Sequence, residues 1–293
     1  MRKSLFFFLS LFCFSISSCS QSDNQPLNNE TDSEPTAADN PDENQQGNTA
    51  WELVFEEEFD QGFSRWNIWN SGAFNEEIQF YRGEQIQLTD GLLEISIQRE
   101  AVTGPALPGD ATPKDFEYVS GRIESKMQFA PANFEGQREY RFVARIKLPA
   151  GHGMWPAFWT YGDPWPTQGE IDILEFRGGE TQEYISNIFY GPDPGININS
   201  NTVAEHNIGI DLTADFHIYE MVWKANMIEI YFDEELIHTY RANGSNNISR
   251  FFGRKQKIVL NTAVGGLFFE DRNSANYADS ATMLVDWVRV YRR

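Results

Sequence analysis

An all-β fold, one large jelly-roll β-sandwich over residues 51–293 with a concave substrate cleft, is the class this sequence predicts, and three observations predict it. From Trp51 onward, short runs of alternating or β-branched residues are separated by turn signals, with little helical periodicity. The stretch is about 240 residues long, which suits one sandwich better than two small domains, and it shows no internal repeat. Aromatic residues make up 14% of the chain, and its eight tryptophans exceed what a sandwich core requires, so several are expected along a cleft.

The elements follow in order. Residues 92–97, Leu-Leu-Glu-Ile-Ser-Ile, stand behind the Asp90-Gly91 turn as a strand. Residues 141–148 form the next strong run and stop at Pro149-Ala150-Gly151. Residues 170–175 make a short apolar and acidic strand, and residues 219–223, 227–232, 257–260 and 283–291 complete the series. Trp223 and Trp287 lie inside strand patterns and are expected in the core, with Trp155 and Trp159 nearer the cleft.

The first 50 residues are of a different kind. Met1-Arg2-Lys3 followed by the apolar run 5–14 reads as a secretory signal, too short to span a bilayer. Ser17-Ser18 before Cys19 resembles the lipobox of bacterial lipoproteins, which implies that residues 1–18 are removed and Cys19 is acylated. Residues 19–50 carry Asp23, Glu30, Asp32, Glu34, Asp39, Asp42 and Glu43 and no Lys or Arg, the composition of a disordered acidic tether. Cys13 would leave with the leader, so no internal disulfide is expected, and a domain of this size does not need one. The expected location is the cell envelope, lipid-anchored in the outer membrane and facing outward.

A formal net charge of −20 and a pI near 4.5 disfavour nucleic acid, which needs a basic face, and equally disfavour heavily sulfated polysaccharide. A neutral glycan suits the charge best.

The chemistry concentrates in Glu170-Ile171-Asp172-Ile173-Leu174-Glu175. On a regular strand Glu170 and Asp172 share a face while Glu175 falls on the other with Ile171 and Ile173. One extra residue in a β-bulge at Ile173-Leu174 restores the parity and gathers all three acids. Like charges so close raise one another's pKa, and glycoside hydrolysis uses that, since it needs one ionised carboxylate and one protonated carboxyl at the same pH. A solvated acidic strand or a calcium loop is the competing account. The first seldom has Trp155, Trp159 and Trp165 just upstream, and the second needs Gly and turn residues in place of Ile-x-Ile-Leu. The residue types identify two carboxylic partners but not their order.

Gly153-Met154-Trp155-Pro156-Ala157-Phe158-Trp159, followed by Gly169 and the acidic hexapeptide, resembles glycoside hydrolase family 16 in its laminarinase-like branch with a bulged E-x-D-x-x-E motif. Residues 75–81, 141–149, 260–266 and 285–291 fit the same family, so the resemblance covers residues 50–293. It implies a concanavalin A-like jelly roll and net retention, with Glu170 as nucleophile, Asp172 assisting and Glu175 as acid/base. It also implies Asn75, Arg141, Trp155 and Trp159 as substrate contacts on the glycone side, and a structural calcium at Glu58, Gly91 and Asp286. For Arg141 the competing role is a structural ion pair. No cofactor is expected for catalysis.

Retaining carboxyl pairs stand about 5–5.5 Å apart, whereas the Cα atoms of Glu170 and Glu175 lie about 13 Å apart on an extended strand with one bulge, so the side chains must lean together across Asp172. Laminarinases usually carry a histidine in the following strand, where this chain has Ile185-Ser186-Asn187-Ile188-Phe189-Tyr190-Gly191. The leading expectation is a retaining endo-β-glycanase cutting internal β-1,3 bonds of laminarin-type glucan, acting as a monomer. The missing histidine leaves room for an endo-β-1,4-galactosidase on agar-like galactans or poly-lactosamine and mucin-type glycans, with Phe189 or Tyr190 meeting a different hydroxyl pattern. A non-catalytic glycan-binding lipoprotein is the third reading, and the intact acid set argues against it. His152, His206, His217 and His238 are scattered without metal-ligand spacing.

Overall fold

The computed structural model describes residues 50–133, 136–242 and 248–293. The signal peptide, Cys19 and the tether up to residue 49 lie outside the described residues.

Two sheets face each other. The larger runs, from edge to edge, Glu235–Arg241, Met227–Phe232, His217–Lys224, Tyr140–Lys147, Ser280–Arg292, Leu92–Leu107, Asp110–Ser120 and Gln79–Tyr81, with Glu52–Glu57 and Ile86–Thr89 paired alongside. The smaller runs Ala204–Asn207, Glu183–Phe189, Glu170–Glu175, Met154–Tyr161, Lys257–Val264, Arg122–Ser125 and Trp66–Ile68, antiparallel throughout. This is the sandwich that the alternation predicts.

The core lies where the two inner faces meet. Phe142, Ala144 and Ile146 alternate inward from the larger sheet, with Tyr219, Met221 and Trp223 beside them. Phe158, Ile171, Ile188, Ile258 and Leu260 answer from the smaller sheet. Each fully buried aliphatic or aromatic side chain contributes about 1.5–3 kcal/mol. Trp223 is in the core, as expected, and donates its indole N–H to the Phe252 carbonyl. Trp287 is not. An irregularity opposite Arg145/Ile146 turns it outward, where the Arg289 guanidinium lies 4.3 Å over its ring.

The strand expected at 92–97 runs on to Leu107 and returns through Asp110–Ser120 as a long hairpin. Its outer half has few core-facing positions, so it shows little hydrophobic alternation in the sequence. Gly72 and Gly104 admit this arm by close approach. A Cβ on Gly72 would meet the Ala106 carbonyl oxygen, and one on Gly104 would meet the Phe80 ring.

Candidate active site

The second face of the smaller sheet, turned away from the core, carries the polar residues. Its third strand, Glu170–Glu175, pairs Trp159 with Asp172 but Phe158 with Leu174, and pairs Asp172 with Asn187 but Glu175 with Ile185. The register slips by one residue on both sides, which is the bulge expected at Ile173-Leu174. Ile173 and Leu174 both enter the core, and Glu170, Asp172 and Glu175 all project from the opposite face. The bulge lets five residues of sequence span the parity of four.

Strand registers carry this face outward in a row. Glu175 lies opposite Ala157, Ala157 opposite Asn261, and Asn261 opposite Arg122. Polar side chains on it are well covered: Asp172 is 3% exposed, Asn187 5%, Asn261 5% and Arg122 6%. Two loops wall it in. Beyond Glu175, the turn at 74–77 is tied to 264–267 through Ile78 N–H to the Val264 carbonyl and Leu267 N–H to the Asn75 carbonyl. Beyond Glu170, residues 162–169 close on themselves through Gly162 N–H to the Gly169 carbonyl. The result is a groove that crosses the strands between the two walls.

An indole from each end aims at a glutamate. Trp165 Nε1 donates to Glu170 Oε2 at 2.7 Å, and Trp155 Nε1 donates to Glu175 Oε1 at 3.1 Å. Asp172 Oδ2 is buried without a hydrogen-bond partner. Burial raises the pKa of all three acids, and their mutual repulsion raises Glu170 and Asp172 further. At Glu170 the repulsion of Glu175 outweighs the opposing Trp165 bond and Arg122 charge, whereas at Glu175 the Trp155 bond and the Arg177 charge outweigh a fourth acid, Glu77.

Glu77 and Arg122 are the site residues that sequence reasoning missed. Burial pushes the Glu77 carboxyl up to about 7 although it accepts hydrogen bonds from Gln79, Asn75 and Tyr81. The network continues from Asn261 Nδ2 to the Tyr81 hydroxyl, and Trp159 Nε1 donates to Asn261 Oδ1 at 2.7 Å. Arg122 is ion-paired to Glu124 at 2.6 Å and sandwiched by Trp69 and Trp159. The available signal was the alternation Arg122-Ile123-Glu124 inside a β-run, which sends both charges to the face opposite Ile123.

Of the predicted contacts, Trp155, Trp159 and Asn75 lie in or beside the groove. Trp155 stacks on Phe268 at 4.2 Å and 11°, so one indole face is already covered, and Arg177 stacks on Phe268 in turn. Arg141 is a correction. It belongs to the larger sheet, on the face away from the core, and is held bidentately by Glu220 through two bonds of 2.6 Å. The alternative ion-pair role is the one the structure realises. Of Phe189 and Tyr190, only Phe189 reaches the groove, opposite Glu170; Tyr190 is 1% exposed and stacks on Phe251.

Two of the three residues expected at a calcium site are paired with arginines. Glu58 accepts two bonds from Arg289, Asp286 is paired with Arg145, and Gly91 sits in the turn before Leu92. Among the described residues no three His, Cys, Asp or Glu side chains are grouped as metal ligands. A cation there would compete with two guanidinium groups.

Residues 74–289 match the profile described as Glycosyl hydrolases family 16. A glucan endo-1,3-beta-glucosidase of Cryptopygus antarcticus is 34% identical over 244 residues, covering 75% of this chain and 83% of that protein. Among solved structures, the endo-beta-1,3-glucanase of Pyrococcus furiosus superposes with a TM-score of 0.68 at 29% identity, over 82% of this chain and 94% of that one. The laminarinase catalytic domain of Thermotoga maritima MSB8 gives 0.67 at 26% identity, over 82% and 98%.

Proposed function

This chain belongs to family 16 of the glycosyl hydrolases, and from that premise we propose that it is a retaining endo-β-glycanase cutting internal β-1,3-glucosidic bonds of laminarin-type glucan. The observation that carries the reading is the bulged strand, which sets Glu170, Asp172 and Glu175 on one face of a groove crossing the strands. A groove that crosses the strands lets a chain lie along it, which suits endo action. The glucanase names of the relatives supply the linkage.

In this reading ionised Glu170 attacks the anomeric carbon as Glu175 gives its proton to the departing glycosidic oxygen. The carbon–oxygen bond to the leaving sugar breaks and a glycosyl ester to Glu170 forms. Glu175, now ionised, takes a proton from water, whose oxygen displaces Glu170 from the same carbon and restores the starting configuration. Asp172 steers Glu170 and helps Glu175 keep its proton. Trp155 and Trp165 fix the carboxyl orientations through their N–H bonds. Two inversions leave net retention.

A reducing-end assay against laminarin, agarose and poly-lactosamine, with Glu170→Gln in parallel, tests the reading. Laminarin cleavage that vanishes in the variant supports it. Cleavage of the galactose-containing chains alone would move the substrate, with Phe189 beside Glu170 as the first residue to exchange. Binding without cleavage would identify a glycan-binding protein.

The proposal extends to the amino terminus, where Cys19 carries the lipid anchor and residues 19–50 hold a monomeric domain off the outer membrane. Its support is compositional. Cys19→Ser should release the protein from the membrane fraction.

A further inference from the structure

We propose that Trp69 and the tip of the long Leu92–Leu107/Asp110–Ser120 hairpin form a distal subsite that grips a neutral glucan several sugar rings away from the bond being cut. The proposal rests on the glucanase reading above and adds a specificity element to it.

Placement comes first. Asn67 pairs with Glu124 on the outermost strand of the smaller sheet, and Trp69, two residues on, has the same side-chain parity and donates its backbone N–H to the Arg122 carbonyl. Trp69 therefore continues the row that runs from the acids through Asn261 and Arg122. Four strand spacings separate its strand from the Glu170–Glu175 strand, a distance of about 19 Å. A residue at that range touches only a substrate long enough to reach it.

The indole is held for the purpose. The Arg122 guanidinium lies 3.6 Å over its ring, itself buried and clamped by Glu124, and Tyr81 meets the ring edge-on at 6.3 Å. Trp69 stays half-exposed all the same, and it lines a cavity of about 470 Å³ shared with Asn70, Ser71, Pro105, Leu107 and Asp110. That volume lies in the range of small-ligand clefts. The hairpin side of the cavity is fixed in place, because Gly72 N–H bonds to the Pro105 carbonyl at 2.9 Å and Gly72 leaves no room for a Cβ under Ala106.

The chemistry suits an uncharged pyranose. An indole offers a flat surface to the C–H face of a sugar ring, and Asn70 and Asp110 supply amide and carboxylate groups for its hydroxyls. Asp110 in the lining, with the strongly acidic chain around it, disfavours a sulfated ring.

The test compares KM for laminarin with KM for laminaritriose, which is too short to reach Trp69 from the acids, in wild type, Trp69→Ala, Trp69→Phe and Leu107→Asp. The expected result for Trp69→Ala is a laminarin-to-triose KM ratio raised about tenfold, the signature of lost uniform binding to the long chain alone. Trp69→Phe should recover part of it. Leu107→Asp, outside the Arg122 stack, should raise the same ratio. Equal losses on both substrates would make Trp69 a mere support for Arg122 and overturn the subsite, and so would unchanged ratios in both Trp69→Ala and Leu107→Asp. Wild-type protein that leaves laminarin intact would overturn the glucanase reading and the subsite together, which separates the two failures.

Discussion

Asp172 shows at the scale of a residue how the site trades stability for reactivity. Its carboxyl is buried, one oxygen lacks a partner, and burial with the repulsion of Glu175 and Glu170 raises its pKa. The folded state therefore holds a proton that the unfolded chain releases above about pH 4. Between that pH and the raised folded value the native state binds more protons, so stability falls as pH rises. Asp172→Asn should melt higher than wild type at pH 7, with the gain shrinking as the pH falls toward about 4, a trend that thermal unfolding across pH will check. In kinetics the same change takes away an ionisable proton shared among the three acids, so the pH–rate profile should lose its dependence on that proton and the rate should fall on the order of tenfold, the effect of about one pKa unit. Glu175→Gln removes the proton donor itself and should cost about 10²–10⁴-fold in kcat.

At the scale of an element, the bulge decides whether the acids cooperate. Deleting Leu174 leaves a regular strand in which the glutamate still has the parity of Asp172, so activity should be lowered but measurable, and the lost core side chain should cost about 1.5–3 kcal/mol. Inserting one alanine between Ile173 and Leu174 keeps the parity on a regular strand but carries the glutamate about 7 Å farther from Asp172 than the deletion does, beyond reach of the pair, and should abolish activity as fully as Glu175→Gln. Assays on folded protein, confirmed by circular dichroism, decide between them. The 266–268 turn is the other element that matters. Phe268→Ala frees the Trp155 indole that donates to Glu175 and should lower kcat between about ten- and a hundredfold. If KM alone changed, Trp155 would be a sugar platform and not an orienting group. The bulge was legible in the sequence because six residues contained its whole parity argument. The Phe268 stack was not, because a 3-10 turn more than ninety residues downstream supplies the ring.

Across the whole molecule the charge is lopsided, with a formal −20, while beside Arg122 it is locally balanced, Arg122 and Lys257 pairing with Glu124 and Asp163. Long-range repulsion should therefore act on anionic chains and spare neutral ones. Raising the ionic strength shortens the Debye length to about 8 Å at physiological salt. Turnover of laminarin should hardly change over that range, whereas turnover of a partly sulfated glucan should rise with salt. Parallel progress curves on the two polymers test this. A common salt dependence would point to a general effect on the fold.

The sequence by itself determined the all-β class, the family, the acid set and the bulge, because each rests on residues adjacent in the chain and on a two-residue side-chain period. Arg141 and Trp287 were misplaced because a strand pattern tells which residues share a face and not which of two sheets, or which side of a sheet, that face belongs to. Only the tertiary structure decided that Glu77, Arg122, Asn261 and Trp69 join the acids. They come from four separate segments, and strand pairing across the smaller sheet and the loops that wall it brought them together.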